Sequence, residues 1–99
     1  MSKVYLNIFK QGKHTLVAVC DQDVLGKVFR EGRIRLEVSE SFYGGTLCTI
    51  SKAIEAIGEA DIANLVGARV INAVSGKGLI NPDAVMFISG VPHVQIVRI

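Results

Sequence analysis

Apolar and polar residues alternate over residues 4–10 (VYLNIFK), with Val4, Leu6 and Ile8 on one side and Tyr5, Asn7 and Phe9 on the other. A period of two predicts a β-strand. Gln11-Gly12-Lys13 supplies a turn, and the run at 15–20 (TLVAVC) is uninterrupted and rich in β-branched residues. It predicts a strand buried on both faces and hairpin-paired to the first. Asp21 ends that strand, and Asp21 or Asp23 is placed to cap a short helical turn through Val24 and Leu25 that closes at Gly26. Residues 33–38 alternate most cleanly, with Ile34, Leu36 and Val38 facing in and Arg33, Arg35 and Glu37 facing out, which predicts a half-buried strand.

The period then changes. After Phe42-Tyr43-Gly44-Gly45 and a short TLCTI run, Ile50, Ala53, Ile54 and Ile57 recur at helical spacing, with Thr49 or Ser51 as cap and Gly58 near the end. Asp61 is placed to cap a second helix carrying Ile62, Leu65, Val66, Val70, Ala73 and Val74. Gly67 interrupts it, leaving a strand over 68–74 as the alternative. Asn81-Pro82-Asp83 is a turn, and residues 84–89 and 93–98 predict two further strands around Gly90-Val91-Pro92. Strands flanking a central helical region predict an α+β fold, a mostly antiparallel sheet with two central helices packed on one face.

Ninety-nine residues with 49% hydrophobic and 20% charged side chains suit one folded domain, spanning residues 1–99. The chain lacks an apolar run of membrane-spanning length and a signal-peptide core, so a soluble, cytoplasmic protein without a membrane partner is expected. Cys20 and Cys48 form no CxxC pair, and two reduced, partly buried thiols are expected, with a disulfide as the alternative. His14, His93 and these cysteines show no metal-ligand spacing, and no cofactor-binding motif is present: GxGxxG and GxxxxGK[ST] are absent.

A net charge of +2 argues against a binder that blankets nucleic acid with charge. Divided along the chain, the same total becomes +4 over residues 1–35, −4 over 36–68 and +2 over 69–99. Lys27, Arg30, Arg33 and Arg35 fall within KVFREGRIR, interleaved with Phe29. Arginine forks bridge phosphates and an exposed aromatic stacks on an unpaired base. The alternative is a solvated strand face with Phe29 in the core.

Phe42, Tyr43, Gly44 and Gly45 combine aromatics with glycines that permit close approach, suiting either an interface anchor or a tight internal turn. On an extended strand His93 and Gln95 project together beyond Pro92, either a donor/acceptor pair for a base edge or a partner or a structural kink in which His93 caps a neighbouring backbone group. Pro92 favours an edge position. Asn64 has the setting of a buried structural amide. A rival enzymatic reading pairs Cys20 as nucleophile with His93, oriented by Asp21. The apolar setting of Cys20 opposes thiolate formation.

The strings CDQDVLGKVFREG (20–32), FYGG (42–45), ANLVG (63–67) and GVPHVQIVRI (90–99) resemble, in order, the archaeal family catalogued as domain of unknown function 424. Members often carry an acidic, alanine-rich stretch before ANLVG where this chain has SKAIEAIGEADI, so the helix surface differs. The resemblance brings no catalytic activity or cofactor. It implies a setting among archaeal translation proteins, with ribosomal RNA or a ribosomal protein as partner. The resulting expectation is a non-catalytic RNA- or ribosome-associated protein using Lys27, Arg30, Arg33 and Arg35 for phosphates. A small enzyme or ligand-binding protein at Cys20/Asp21/His93 is the alternative, and self-association through an apolar sheet surface is a third.

Overall fold

The structure, a computed structural model, describes residues 3–98. In chain order it comprises β1 (Lys3–Gln11), β2 (His14–Asp21), β3 (Val28–Glu31), β4 (Ile34–Glu37), α1 (Glu40–Tyr43), β5 (Thr46–Thr49) and α2 (Ile50–Glu59). Then come β6 (Ile62–Val66), α3 (Ala68–Gly76), a 3-10 turn (Pro82–Ala84), β7 (Met86–Ile88) and β8 (Val91–Val97). Six strands form one sheet in the order β5-β1-β2-β6-β8-β7, and β3 and β4 form a separate two-stranded ribbon. The fold is α+β. Every pairing is antiparallel except β2 with β6.

Alternation along the central strands divides the core in two. Val4, Leu6, Val17, Val19, Ala63 and Leu65 face α2 and α3, packing against Ala53, Ile57, Val70 and Val74. Ala18, Cys20 and Val66 face the other way, against Val24, Leu36, Val38 and Tyr43 from the ribbon, its approach loop and α1. The continuous apolar run of β2 is thus buried on both faces, as its composition requires. The two main helices lie on one face. The second layer, built by the ribbon, has no counterpart in the sequence prediction.

Three assignments change. Residues 62–66 form the parallel strand β6, and only residues 68–76 are helical. Central parallel strands are apolar on both faces, so Ile62, Leu65 and Val66 satisfy helical and strand spacing alike. Asp61 accordingly caps no helix: its carboxylate accepts from Thr15 N at 2.7 Å, tying the start of β6 to β2. Residues 22–26 form turns rather than a helix. Lastly, Pro92 lies on β8, which is flanked by β6 and β7. A residue in an antiparallel strand directs its N–H and C=O to the same side. The Pro92 carbonyl accepts from Gly67 N at 3.0 Å, so the missing N–H faces Gly67, whose carbonyl is engaged by Ile71 N at 3.1 Å. The proline therefore leaves no acceptor orphaned.

Asp21, at the end of β2, holds this corner together. Its side chain is 4% exposed and accepts from Arg69 N at 2.8 Å and Val70 N at 3.0 Å, two of the unpaired donors at the start of α3. Gly67 precedes them at φ 117° and ψ 147°, and a Cβ there would collide with the Asp21 carboxylate. Gly67→Ala combines a backbone region closed to side chains with that collision, and should lower unfolding stability by about 3 kcal/mol in urea denaturation. A loss under about 1 kcal/mol would contradict the capped corner.

Candidate nucleic-acid interface

The β3–β4 ribbon is closed by Gly32-Arg33, with Gly32 at φ 60° in the first position of a two-residue turn. Alternation sends Phe29, Leu36 and Val38 toward the sheet. The same alternation sends Val28, Arg30, Arg35 and Glu37 outward. Arg30 lies directly opposite Arg35. Counting from the turn, this is a pair that exchanges no ladder hydrogen bonds, the type in which Cα atoms stand about 4.5 Å apart and side chains are closest. Like charges so placed destabilise a hairpin. Arg33 occupies the turn beside them, and Lys27, Arg30, Arg33 and Arg35 are all exposed. Arg35 Nη1 stands 3.2 Å from Glu37 Oε1, with both side chains about half exposed at 49% and 52%. Such a surface pair contributes little and yields readily to a stronger anion.

Both ends of the ribbon are fastened. At its root Gly26 N donates to Val38 O at 2.7 Å and Val38 N to Lys27 O at 2.9 Å. At its tip Ser89 N donates to Glu31 Oε1 at 2.7 Å, and Ser89 Oγ donates to Arg30 O at 2.7 Å. Ser89 and Gly90 both have positive φ, 50° and 80°, the turn type that matches the twist of the β7–β8 hairpin. The arginines thus ride on an anchored element rather than a loose loop.

The aromatic candidates turn inward. Phe29 packs into the second core. Phe42 stacks on Phe9 with centroids 5.4 Å apart and meets Tyr43 edge-on at 4.9 Å. Asn7 Nδ2 donates to Phe42 O at 3.1 Å. Tyr43 is 5% exposed, and burial pushes its phenol up to about 12. Gly44 and Gly45 serve the same closure: a Cβ on Gly45 would strike the backbone of Leu6 and Asn7. The FYGG segment is therefore an internal clamp between α1 and β1. Exposed apolar side chains missed by the sequence reading stand elsewhere, at the β7 edge: Met86 at 52% and Phe87 at 62%, with Ile34 at 47% on the neighbouring ribbon. For Met86 and Phe87 the only sequence signal is the absence of charge from 84–89, whereas Ile34, expected to face in, is half exposed because it ends the ribbon beside its turn.

The rival Cys20/Asp21/His93 constellation does not assemble. Cys20 pairs with Val66 and Val66 with His93, so one strand separates thiol and imidazole, a span of roughly 10 Å. Asp21 projects from the opposite face and is committed to α3. Burial, with Asp21 and Asp23 adding negative charge, pushes the Cys20 thiol up to about 12. Burial also raises the Asp21 carboxyl above its ordinary range, despite its two N–H donors, and lowers the half-buried His93 imidazole below its own. A cleft of about 220 Å³ does open between this corner and the β7–β8 turn, lined by Asp23, Gly67, Arg69 and Pro92. Asp21 already accepts from two of the helix donors that would attract an anion there, Arg69 N and Val70 N. Both cysteines are free, with Cys20 in the ribbon-side core and Cys48 packed toward the helices. Among the described residues no three His, Cys, Asp or Glu side chains gather as a metal site, and no helix is long and apolar enough to cross a membrane.

With this geometry in place, the relatives decide the family. The model of a protein family of unknown function, DUF424, matches residues 9–99. The chain belongs to DUF424. A crystal structure of an uncharacterised conserved protein from the archaeon Methanopyrus kandleri has a similar fold, with a TM-score of 0.77 and 32% identity over 95% of this chain and 90% of that one. Among curated proteins none matches. DUF424 membership confirms the resemblance carried by the four sequence strings and adds no activity.

The thiol environment gives a direct check on the rival chemistry. At neutral pH an alkylating reagent should label Cys48 before Cys20, with Cys20 modified only on unfolding and at an unchanged rate in His93→Ala, as followed by peptide mass spectrometry. Fast labelling of Cys20 that depends on His93 would restore the enzyme reading.

Proposed function

We propose that this DUF424 protein is a non-catalytic RNA-binding protein of the translation apparatus, and that the β3–β4 ribbon is its phosphate-binding element. The observation that carries this reading is the direct cross-strand pairing of Arg30 with Arg35, with Arg33 in the adjoining turn. A ribbon is least stable with like charges opposed, so the arrangement has no folding benefit. It gains one when an anion lies across both guanidinium groups, each of which can fork onto phosphate oxygens. The tip anchors at Ser89 hold the pair in register with the sheet, which favours docking on a shaped backbone over loose attraction. The translation setting rests on the family resemblance, and the RNA contact rests on the ribbon.

Substituting Arg30, Arg33 and Arg35 together by Ala should weaken co-sedimentation with ribosomal particles and binding to ribosomal RNA fragments. It should also flatten the dependence of log Kd on log salt by about two to three phosphate contacts. Undiminished affinity in the triple variant would refute the reading.

A second reading is favoured by the β7 edge. Residues Met86–Ile88 form an uncharged, unpaired sheet edge bearing exposed Met86 and Phe87, whereas natural edges are commonly guarded by charge, proline or a bulge. An isologous contact opposes the same patch to itself, which an uncharged strand tolerates. If β7 pairs with β7 of a second copy, light scattering across a concentration series should show a dimer that Phe87→Asp converts to monomer. A wild-type monomer at all concentrations would dismiss it.

A further inference from the structure

The ribbon-side face of the sheet is covered unevenly. The ribbon reaches across to β7, and α1 lies against β1 and β2, with Phe42 seated on Phe9. Between them the lower parts of β6 and β8 remain open. Register places Asn64 directly opposite Gln95, with Ile62 opposite Val97 in the next row. Gln95 is exposed, Val97 is 57% exposed, and Asn64 and Ile62 are partly so. Among the described residues neither carboxamide is hydrogen-bonded to any protein group. Two unengaged amides side by side on a rigid central sheet contrast with Asn7, in the same cross-strand row, whose amide is spent on Phe42 O.

We propose that this open patch is a nucleobase site, in which Asn64 and Gln95 read the edge of an unpaired adenine in single-stranded RNA. The proposal rests on the ribbon reading above, because the arginine ribbon is what brings the phosphate backbone to this side of the molecule. Cross-strand partners have Cβ atoms about 4.5–5.5 Å apart, so the two carboxamides present donors and acceptors over the width of one base edge. Asparagine and glutamine match the adjacent donor and acceptor of adenine. Unpaired bases expose that edge, whereas an A-form duplex hides it in a groove that side chains do not enter. Ile62 and Val97 supply an apolar floor beside the amides for the face of the ring. Charge complements the assignment: β2, β6 and β8 direct no acidic side chain to this face, since Asp21 points to the other.

Fluorescence anisotropy with labelled rA10, rU10 and a duplex RNA of the same length tests it. The wild-type protein should bind rA10 at least about fivefold more tightly than rU10 or the duplex. Gln95→Ala, at an exposed position, should erase most of that preference while keeping the salt dependence. Asn64→Ala/Gln95→Ala should erase it fully, with the thermal midpoint confirming that the double variant folds. Equal wild-type affinity for rA10 and rU10, or a preference that survives in Gln95→Ala, overturns the nucleobase site even where the triple arginine variant loses binding. A triple arginine variant that binds rA10 as tightly as wild type instead overturns the ribbon reading on which the site depends.

Discussion

One buried carboxylate organises the junction between the two halves of this fold. Asp21 closes β2 and in the same position satisfies the first free donors of α3, whose residues are nearly fifty positions further along the chain. A charge withdrawn from water needs such partners, and a helix start needs such an acceptor, so each repairs the other's deficit. Gly67 is the steric condition for this contact, because its missing Cβ is the space the carboxylate fills. Once the corner is set, the chain leaving β2 turns through residues 22–26 to the opposite face and builds the ribbon. The position of the arginines is therefore a downstream result of a helix cap.

Much of this was legible in the pattern of residues. Period-two alternation located β1 and β4, the apolar run located β2, and helical spacing with Thr49 or Ser51 as cap located α2; of the two it is Thr49 that accepts from Lys52 N, at 3.2 Å. What stayed hidden has a common cause, namely contacts distant in sequence. β6 imitates a helix because Leu65 and Val66, on opposite faces, are both buried, and only the neighbouring β2 and β8 make it a strand. Asp21 looked like the cap of an adjacent turn, because local capping is the default when the distant partner cannot be seen. Lys27, Arg30, Arg33 and Arg35 stand close together in the sequence, but the pairing of Arg30 with Arg35 follows only from residues 28–31 forming a strand. His93 and Gln95 do share a face, as alternation requires. That Asn64 stands opposite Gln95 follows from a register that no spacing rule supplies.

The aromatics illustrate how composition misleads about surface chemistry. Phe29, Phe42 and Tyr43 lie near basic residues or glycines in sequence, which resembles a stacking platform, yet all three pack into the second core. A two-stranded ribbon is marginal alone and needs an apolar inner face to stay on the sheet. Phe29 and Leu36 supply that face. The same alternation that buries them leaves the outer face to charge, so the basic surface and the core beneath it are two sides of one short hairpin.

The parallel contact between β2 and β6 has a consequence for biosynthesis. The sheet consists of two three-stranded units, β5-β1-β2 and β6-β8-β7, whose only strand-to-strand seam among the described residues is this pair. During translation β2 leaves the ribosome some forty residues ahead of β6. At roughly 5–20 residues per second its uncharged Leu16–Cys20 edge waits for seconds without the strand that will cover it. The nascent first half is thus the species most open to mispairing, and the emergence of residues 62–66 is the event that ends its exposure.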